Sequence, residues 1–203
     1  MRSIPPVPDE KSLRLWPENW LSPMDLESEW TQTGPRALDL GCGKGRFLLA
    51  HARRNPDMRL LGIERKLRRV RKIDRKAARE GLDNLRLLRM EANYAMRYLM
   101  PSDWIDVCYI YFPDPWPKDR HQAHRLLSPE FMDVLDRTLS SQGEVHFATD
   151  HEPYFQDVMK LLEQDARWSF IDPYRLENEE VSDFELLWRK HGKPIFRSSF
   201  RRN

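Results

Sequence analysis

From Arg36 onward, short apolar runs alternate with segments that show a helical period. The predicted strands are 37–40, 60–63, 85–88, 105–112, 144–148, 168–171 and 195–200. The predicted helices are about 44–54, 66–80, 95–100, 128–139, 150–162 and 184–190. Strands that alternate with helices pack as a mostly parallel sheet with helices on its faces. The pattern therefore predicts an α/β sandwich whose ligands bind at the carboxyl ends of the strands.

The length of 203 residues suits one compact domain with a short extension. Residues 1–33 are rich in Pro and Trp without a clear period, so we interpret them as an N-terminal extension over the domain surface. The domain proper is expected at 34–203.

Charge is segregated along the chain although the formal net charge is only +2. Eight of the twelve positions from Arg65 to Lys76 are basic, whereas Glu177 to Glu185 is mostly acidic. A basic helical face can bind RNA phosphates or can simply be solvated. The sequence leaves both interpretations open.

The two cysteines, Cys42 and Cys108, lie far apart in predicted core segments and form no C-x-x-C pair. We therefore expect reduced, packed thiols with no disulfide and no zinc. Met1 to Asp9 contains no apolar run typical of a signal peptide, and no stretch approaches the length of a membrane span. A cytoplasmic protein without a membrane partner is expected.

A glycine-rich turn, Gly41-Cys42-Gly43-Lys44-Gly45, follows the first predicted strand. A dinucleotide fingerprint G-x-G-x-x-G would place its third glycine at position 46, but Arg46 is there. The compact pattern preceded by Asp39 resembles the first motif of class I S-adenosylmethionine (SAM) methyltransferases. SAM carries an ammonium and a sulfonium, so an acid at Asp39 beside Gly41 and Gly43 suits it. The alternative is a turn that packing alone requires.

Two further acids end predicted strands. Glu64 follows the second strand, roughly 20 residues after Gly41, which is the spacing at which an acid binds adenosine ribose hydroxyls. It can equally be a surface glutamate. Glu91 and Ala92 follow the third strand and are candidates for the adenine edge, although Glu91 can instead cap the next helix.

The fourth strand runs into Tyr111-Phe112-Pro113-Asp114-Pro115-Trp116-Pro117-Lys118. Proline lacks an N–H and keeps its predecessor extended, so this stretch is predicted to be a stiff loop at the carboxyl end of the strand. It is either a rigid connector or part of a ligand site.

The loop carries the most specific of five ordered motifs, which are 38–45, 112–118, 120–125, 147–150 and 182–185. Together they resemble the tRNA (guanine-N7)-methyltransferase family over roughly residues 36–200. The resemblance implies a Rossmann-like class I methyltransferase fold with a seven-stranded sheet whose final strand is antiparallel. It also implies SAM as cofactor, tRNA as partner and no metal.

The resemblance also implies site residues. Asp114 is the expected catalytic residue and a cofactor contact. The other expected SAM contacts are Asp39, Gly41, Gly43, Glu64, Glu91 and Ala92. The expected substrate-binding residues are Lys118, Asp150, Ser182, Asp183, Phe184 and Glu185, with Ser182 where the family has threonine.

Guanine N7 has an exposed lone pair and no proton, so its attack on a methyl group needs no general base. Asp114 can accept from the guanine N1–H and exocyclic amine and stabilise the developing cation. Lys118, Arg120, His121, His124 and Arg125 can position the RNA backbone. His121 and His124 have no further ligands that would make a metal site.

The expected function is methylation of guanine N7 in tRNA, in the variable loop as in the family, by a monomer or homodimer. The alternatives are a methyltransferase of another RNA or of a small molecule, and an RNA-binding protein that retains SAM without turnover. Asp150 has its own structural alternative as the N-cap of the following helix.

Overall fold

A computed structural model describes residues 12–116 and 125–203. Its strands are β1 (Arg14–Leu15), β2 (Arg36–Leu40), β3 (Arg59–Ile63), β4 (Leu85–Leu88), β5 (Ile105–Tyr111), β6 (Leu139–Thr149), β7 (Trp168–Ile171) and β8 (Phe196–Arg202). Its helices are α1 (Arg46–Arg54), α2 (Leu67–Glu80), α3 (Ala92–Tyr94, continued as one π-helical turn over Ala95–Leu99), α4 (Pro129–Thr138), α5 (Glu152–Glu163) and α6 (Asp183–Lys190), with a 3-10 turn at Glu27–Glu29. The predicted alternation is confirmed.

All eight strands form one sheet in the order β1-β4-β3-β2-β5-β6-β8-β7. The pairs from β1 to β6 are parallel, and β8 runs antiparallel to both β6 and β7. The order reverses between β2 and β5, which are adjacent and in register at Asp39 and Tyr109. A crevice opens at such a switch point outside the carboxyl ends of the strands.

The sheet has one strand more than the expected seven, because part of the presumed extension joins it. Arg14 and Leu15 pair with Leu87 and Leu88 of β4. Downstream, Leu26 and Trp30 are buried in the core, and the Trp30 indole N–H donates to the Asn84 carbonyl over 3.0 Å. Residues 12–33 therefore contribute to the domain as well as covering it.

Two apolar layers cover the sheet, since side chains alternate along each strand. Ala37 of β2 faces α1 and α2 in a layer with Leu48 and Ile73. Leu38 faces the opposite layer, which includes Phe131 of α4. Helices on both faces leave the carboxyl edge of the sheet open for a site. In the described part of the chain, no helix is both long and apolar enough to cross a membrane.

Candidate active site

A cavity of about 110 Å³ lies at the carboxyl ends of β2 and β5. One wall is the glycine-rich turn and the start of α1, and the other is the start of α6. The lining residues are Asp39, Gly41, Cys42, Gly43, Lys44, Arg46, Phe47, Arg69, Tyr111, Ser182, Asp183, Phe184 and Leu187. The fold therefore brings three expected SAM contacts and three expected substrate contacts to one cavity, although they are more than a hundred residues apart in sequence.

The glycine-rich turn has the open backbone that a ligand needs. Gly41 and Gly43 have φ values of 84° and 59°, and a Cβ at Gly41 would meet nothing within 4 Å. Positive φ favours glycine, and the empty space beside Gly41 allows a ligand to approach the backbone. At Gly45 of the same turn, a Cβ would meet the Ile73 side chain at 2.6 Å, so packing also requires a glycine there.

Asp39 and Glu64 are both buried at this end of the sheet. Burial and the neighbouring Glu64 raise the pKa of Asp39 to about 8. Glu64 is fixed by two contacts, since it accepts from the Lys66 backbone N–H over 2.7 Å and pairs with Arg69 at 3.0 Å. Within residues 12–116 and 125–203, no cation pairs with Asp39, and a buried acid of this kind at a cavity wall is suited to a cationic or hydroxyl-bearing ligand.

Glu91 caps the next helix, which was the alternative to an adenine contact. Its carboxylate accepts from the backbone N–H groups of Asn93 and Tyr94 over 2.9 and 2.8 Å, and so caps α3. Glu91 is exposed, and neither it nor Ala92 lines the cavity. An adenine contact would have to use this helix-capping carboxylate or the α3 backbone.

The loop after β5 is held in an uncommon backbone conformation. Phe112 and Trp116 have φ values of 54° and 43°, in the left-handed region. The Phe112 N–H donates to the Ala148 carbonyl over 2.7 Å, and the Pro115 carbonyl accepts from Arg125 over 2.8 Å. Asp114 lies between these two attachments and is exposed. The loop therefore presents a solvated carboxylate from a constrained backbone.

Arg125 is not the free phosphate ligand that the sequence suggested. It is buried, its guanidinium pairs with Asp157 at 2.5 Å, and it lies over the Tyr154 ring at 5.0 Å. These contacts attach the loop to α5. Lys118, Arg120, His121 and His124 lie outside the described residues.

The four residues 182–185 take different roles at the start of α6. The Ser182 hydroxyl caps the helix by accepting from the Glu185 backbone N–H over 3.1 Å. Asp183 and Phe184 line the cavity, and Phe184 is 45% exposed. The Glu185 carboxylate is buried in ion pairs with Arg189 and Arg197. Glu185 therefore attaches α6 to β8, beneath the residues that face the cavity.

Asp150 does not cap α5, so that interpretation was wrong. The cap is His151, whose ring Nδ1 accepts from the Tyr154 backbone N–H over 3.1 Å. Asp150 is partly exposed and lies 3.6 Å from the Lys193 ammonium. Its carboxylate remains accessible to a ligand.

A buried polar cluster that sequence reasoning missed fixes the acidic segment 177–182 over α1. His51 Nδ1 lies 2.6 Å from a Glu180 carboxylate oxygen, and His51 Nε2 lies 3.0 Å from the Tyr109 hydroxyl. The Tyr174 hydroxyl and the Glu177 backbone N–H also donate to Glu180. Burial lowers the pKa of His51, and a neutral ring that donates from Nδ1 to Glu180 and accepts at Nε2 from Tyr109 satisfies both of these contacts.

Arg46 provides a second attachment of the same segment. Its Nε donates to the Val181 carbonyl over 2.8 Å, across a sequence separation of 135 residues. Arg46 occupies the position that excluded a dinucleotide fingerprint, and here it joins the glycine-rich turn to the cap of α6. The two cavity walls are therefore connected directly.

Comparison with known proteins agrees with this geometry. A family model described as "Putative methyltransferase" matches residues 33–198. A tRNA (guanine-N(7)-)-methyltransferase of Chlamydia abortus is 37% identical over 82% of this chain and 75% of its own length. Proteins of the same name from Nitrosococcus oceani and Thermotoga maritima are each 31% identical. They match 93% and 90% of this chain, and 82% and 59% of their own lengths. The chain thus spans less than two thirds of the Thermotoga relative.

Among solved structures, the 16S rRNA methyltransferase KamB has a TM-score of 0.67 at 19% identity, over 90% of this chain and 95% of that one. The aminoglycoside resistance methyltransferase NpmB1 has a TM-score of 0.61 at 20% identity, over 88% and 92%. At these identities the likeness shows a shared fold.

Proposed function

This chain belongs to the tRNA (guanine-N(7)-)-methyltransferase family, and we propose that it transfers the methyl group of SAM to N7 of a guanine in tRNA. The observation that carries the proposal is the shared cavity, in which a buried acid and open glycine turn face the start of α6. The variable loop as target and a cytoplasmic location are parts of the same proposal.

The residues at the glycine-rich turn fit SAM. The ligand supplies an electrophilic methyl group on a sulfonium. Asp39 would face its positive charge, and the backbone at Gly41 and Gly43 leaves space for it. Glu64, held by Arg69 and the Lys66 N–H, would accept from ribose hydroxyls. Glu91 and Ala92 would lie at the adenine edge. The Glu91 carboxylate would then bind adenine while it also caps α3.

Asp114 would orient guanine and stabilise charge. Because N7 carries no proton, the main demand on the protein is to place the base in line with the methyl group. A carboxylate at the base edge accepts from N1–H and the exocyclic amine, and its attraction grows as the purine becomes cationic. The exposed, constrained position of Asp114 suits this role.

The substrate wall would consist of Ser182, Asp183 and Phe184, with Asp150 and Lys118 as further RNA contacts. Glu185, whose carboxylate is already engaged by Arg189 and Arg197, would act by fixing this wall. A base displaced from its helix is bound by such combinations of edge acceptors and aromatic faces.

The test is incubation of the protein with methyl-labelled SAM and unmodified tRNA, followed by borohydride and aniline cleavage to map 7-methylguanine. We expect label at one guanine of the variable loop, and loss of label with Asp114→Ala. Label in a different RNA or a small molecule would support the alternative substrates. SAM binding without any transfer would support a non-catalytic RNA-binding protein.

A further inference from the structure

Two aromatic rings face each other in front of the Asp114 loop. The ring centroids of Phe112 and Phe184 are 6.4 Å apart, and the ring planes differ by 26°. Phe112 immediately precedes Pro113 and Asp114, whereas Phe184 also lines the cavity at the glycine-rich turn. The pair therefore links the cavity to the loop that carries Asp114, the expected guanine ligand.

Phe112 has a backbone conformation that non-glycine residues rarely adopt. A non-glycine residue in the left-handed region is strained, and such strain is concentrated at functional sites. Phe112 has a φ of 54°, and its N–H is held by the Ala148 carbonyl at 2.7 Å. The conformation turns the chain out of β5 and leaves the Phe112 ring close to parallel with Phe184.

Phe184 is fixed from the other side. The Ser182 cap and the buried Glu185 lie on either side of Asp183 and Phe184. Arg46 holds the Val181 carbonyl, one residue before the cap. Although 45% of Phe184 is exposed, its backbone is attached to β8 and to the glycine-rich turn. An exposed aromatic side chain on so constrained a backbone is suited to contact a ligand.

A base could enter between the two rings only if they separate. Stacked bases repeat at about 3.4 Å, so a base between two ring faces needs about 6.8 Å between them. The centroid separation of 6.4 Å is the upper limit of the present gap, so the exposed Phe184 side chain would have to move outward. Base–aromatic stacking on one or both faces is a common mode of binding for unpaired RNA bases.

We propose that the target guanine inserts between Phe112 and Phe184, and that this pair of rings recognises the positive charge which methylation creates on the purine. The inference rests on the proposed function. Asp114 would bind the edge of the same base while the rings cover its faces.

The charge recognition follows from the electrostatics of aromatic rings. The face of a ring is electron-rich and attracts a cation more strongly than a neutral group. Guanine is neutral before transfer and cationic after N7 methylation. The attraction to both rings therefore rises along the reaction, and interactions that strengthen toward the transition state increase the rate.

The first test is single-turnover methylation of tRNA by Phe112→Leu and Phe184→Leu. Phe184→Tyr is the conservative variant, and Phe170→Leu, at a 51% exposed phenylalanine of β7, is the matched control. Loss of stacking should lower the rate about 10- to 100-fold for each leucine variant. Phe184→Tyr should retain a higher rate than Phe184→Leu because it keeps an aromatic face, and the Phe170→Leu control should stay near the wild-type rate. The dissociation constant for tRNA should change less than about threefold because phosphate contacts dominate it. Wild-type rates in both leucine variants would overturn the proposal.

A second readout separates charge recognition from a structural effect. Wild-type protein with bound S-adenosylhomocysteine should bind 7-methylguanosine monophosphate about fivefold more tightly than guanosine monophosphate. The leucine variants should lose most of this preference, and Phe184→Tyr should keep it. No difference between the two nucleotides, or an undiminished preference in Phe112→Leu and Phe184→Leu, would contradict the inference. A wild-type protein that methylates no tRNA would instead overturn the proposed function.

Discussion

The environment of Asp39 disfavours a charged carboxylate in the free protein, and under the proposed function the positive charge of SAM would favour it. Its carboxyl is buried beside Glu64, and its pKa is raised to about 8. Below that pH the free protein keeps Asp39 protonated, so a cationic ligand must displace a proton when it binds. The residue therefore couples ligand affinity and folding stability to pH.

We expect the affinity for SAM to fall about tenfold per pH unit below pH 8 and to level off above it, since one proton is released on binding. Isothermal titration from pH 6 to 9 measures this. Asp39→Asn should bind more weakly and lose the pH dependence. A wild-type affinity that does not vary with pH would refute the role of Asp39.

The same pKa predicts the stability of the free protein. Asp39 titrates near 3.9 when unfolded and near 8 when folded, so between these values the folded state binds the extra proton and stability falls as pH rises. Asp39→Asn removes this cost. Urea unfolding should show similar stability for both proteins at pH 4 and a gain of up to about 5 kcal/mol for the variant at pH 8. A variant less stable than wild type at pH 8 would contradict the expectation.

At the scale of elements, α6 and the segment before it are positioned by buried charge. Glu180 reaches His51, and Glu185 reaches Arg197, so the substrate wall is attached to α1 and to β8. Removing Glu180 would leave the His51 Nδ1–H and the Tyr174 hydroxyl without their acceptor, and a buried donor without a partner is costly in free energy.

Glu180→Ala should therefore lower the free energy of unfolding by about 3 kcal/mol. Glu177→Ala, which removes an exposed carboxylate three residues earlier, should change it by less than about 0.5 kcal/mol. Urea midpoints for the two variants test this. Equal midpoints would show that the buried cluster does not stabilise the fold.

The sequence predicted features that depend on neighbours along the chain. The strand-to-helix turn at Gly41, the acid at Glu64 and the stiff loop at Asp114 are each local combinations of residue type and strand end. The His51–Glu180 pair joins residues 129 apart, and the facing of Phe112 and Phe184 depends on where α6 docks. Neither contact produces a hydrophobic period or a motif spacing in the sequence, so only the structure reveals them.

At the scale of the whole molecule, the sheet was predicted except for its edge. A strand of two residues, β1, is too short to give a pattern in the sequence. Asp74 of α2 holds the chain just before it by accepting from the Leu13 N–H over 2.9 Å. The same helix exposes its basic side chains on its outer face. Among the described residues only Arg14 and Asp74, and Arg69 and Glu64, form ion pairs that involve α2 side chains before Glu80.

We expect this outer face to contribute to tRNA binding, since it extends from Arg69 at the cavity. Neutralising Arg68, Arg71 and Arg75 together should weaken binding and reduce the slope of log K against log salt by up to about 0.9 per lost phosphate contact. Lys160→Ala on α5 is the control. Filter binding from 50 to 200 mM salt measures the affinity and the salt slope of each variant. An unchanged slope in the triple variant would mean that the outer face of α2 is only solvated.

The most direct test concerns the charge on Asp114. Asparagine keeps the size of the side chain and one acceptor but removes the negative charge. In single-turnover methylation of tRNA, we expect Asp114→Asn to lower the rate on the order of 10²–10³-fold while the product remains 7-methylguanine, because the carboxylate stabilises charge and removes no proton. A wild-type rate in this variant would contradict the assignment of Asp114.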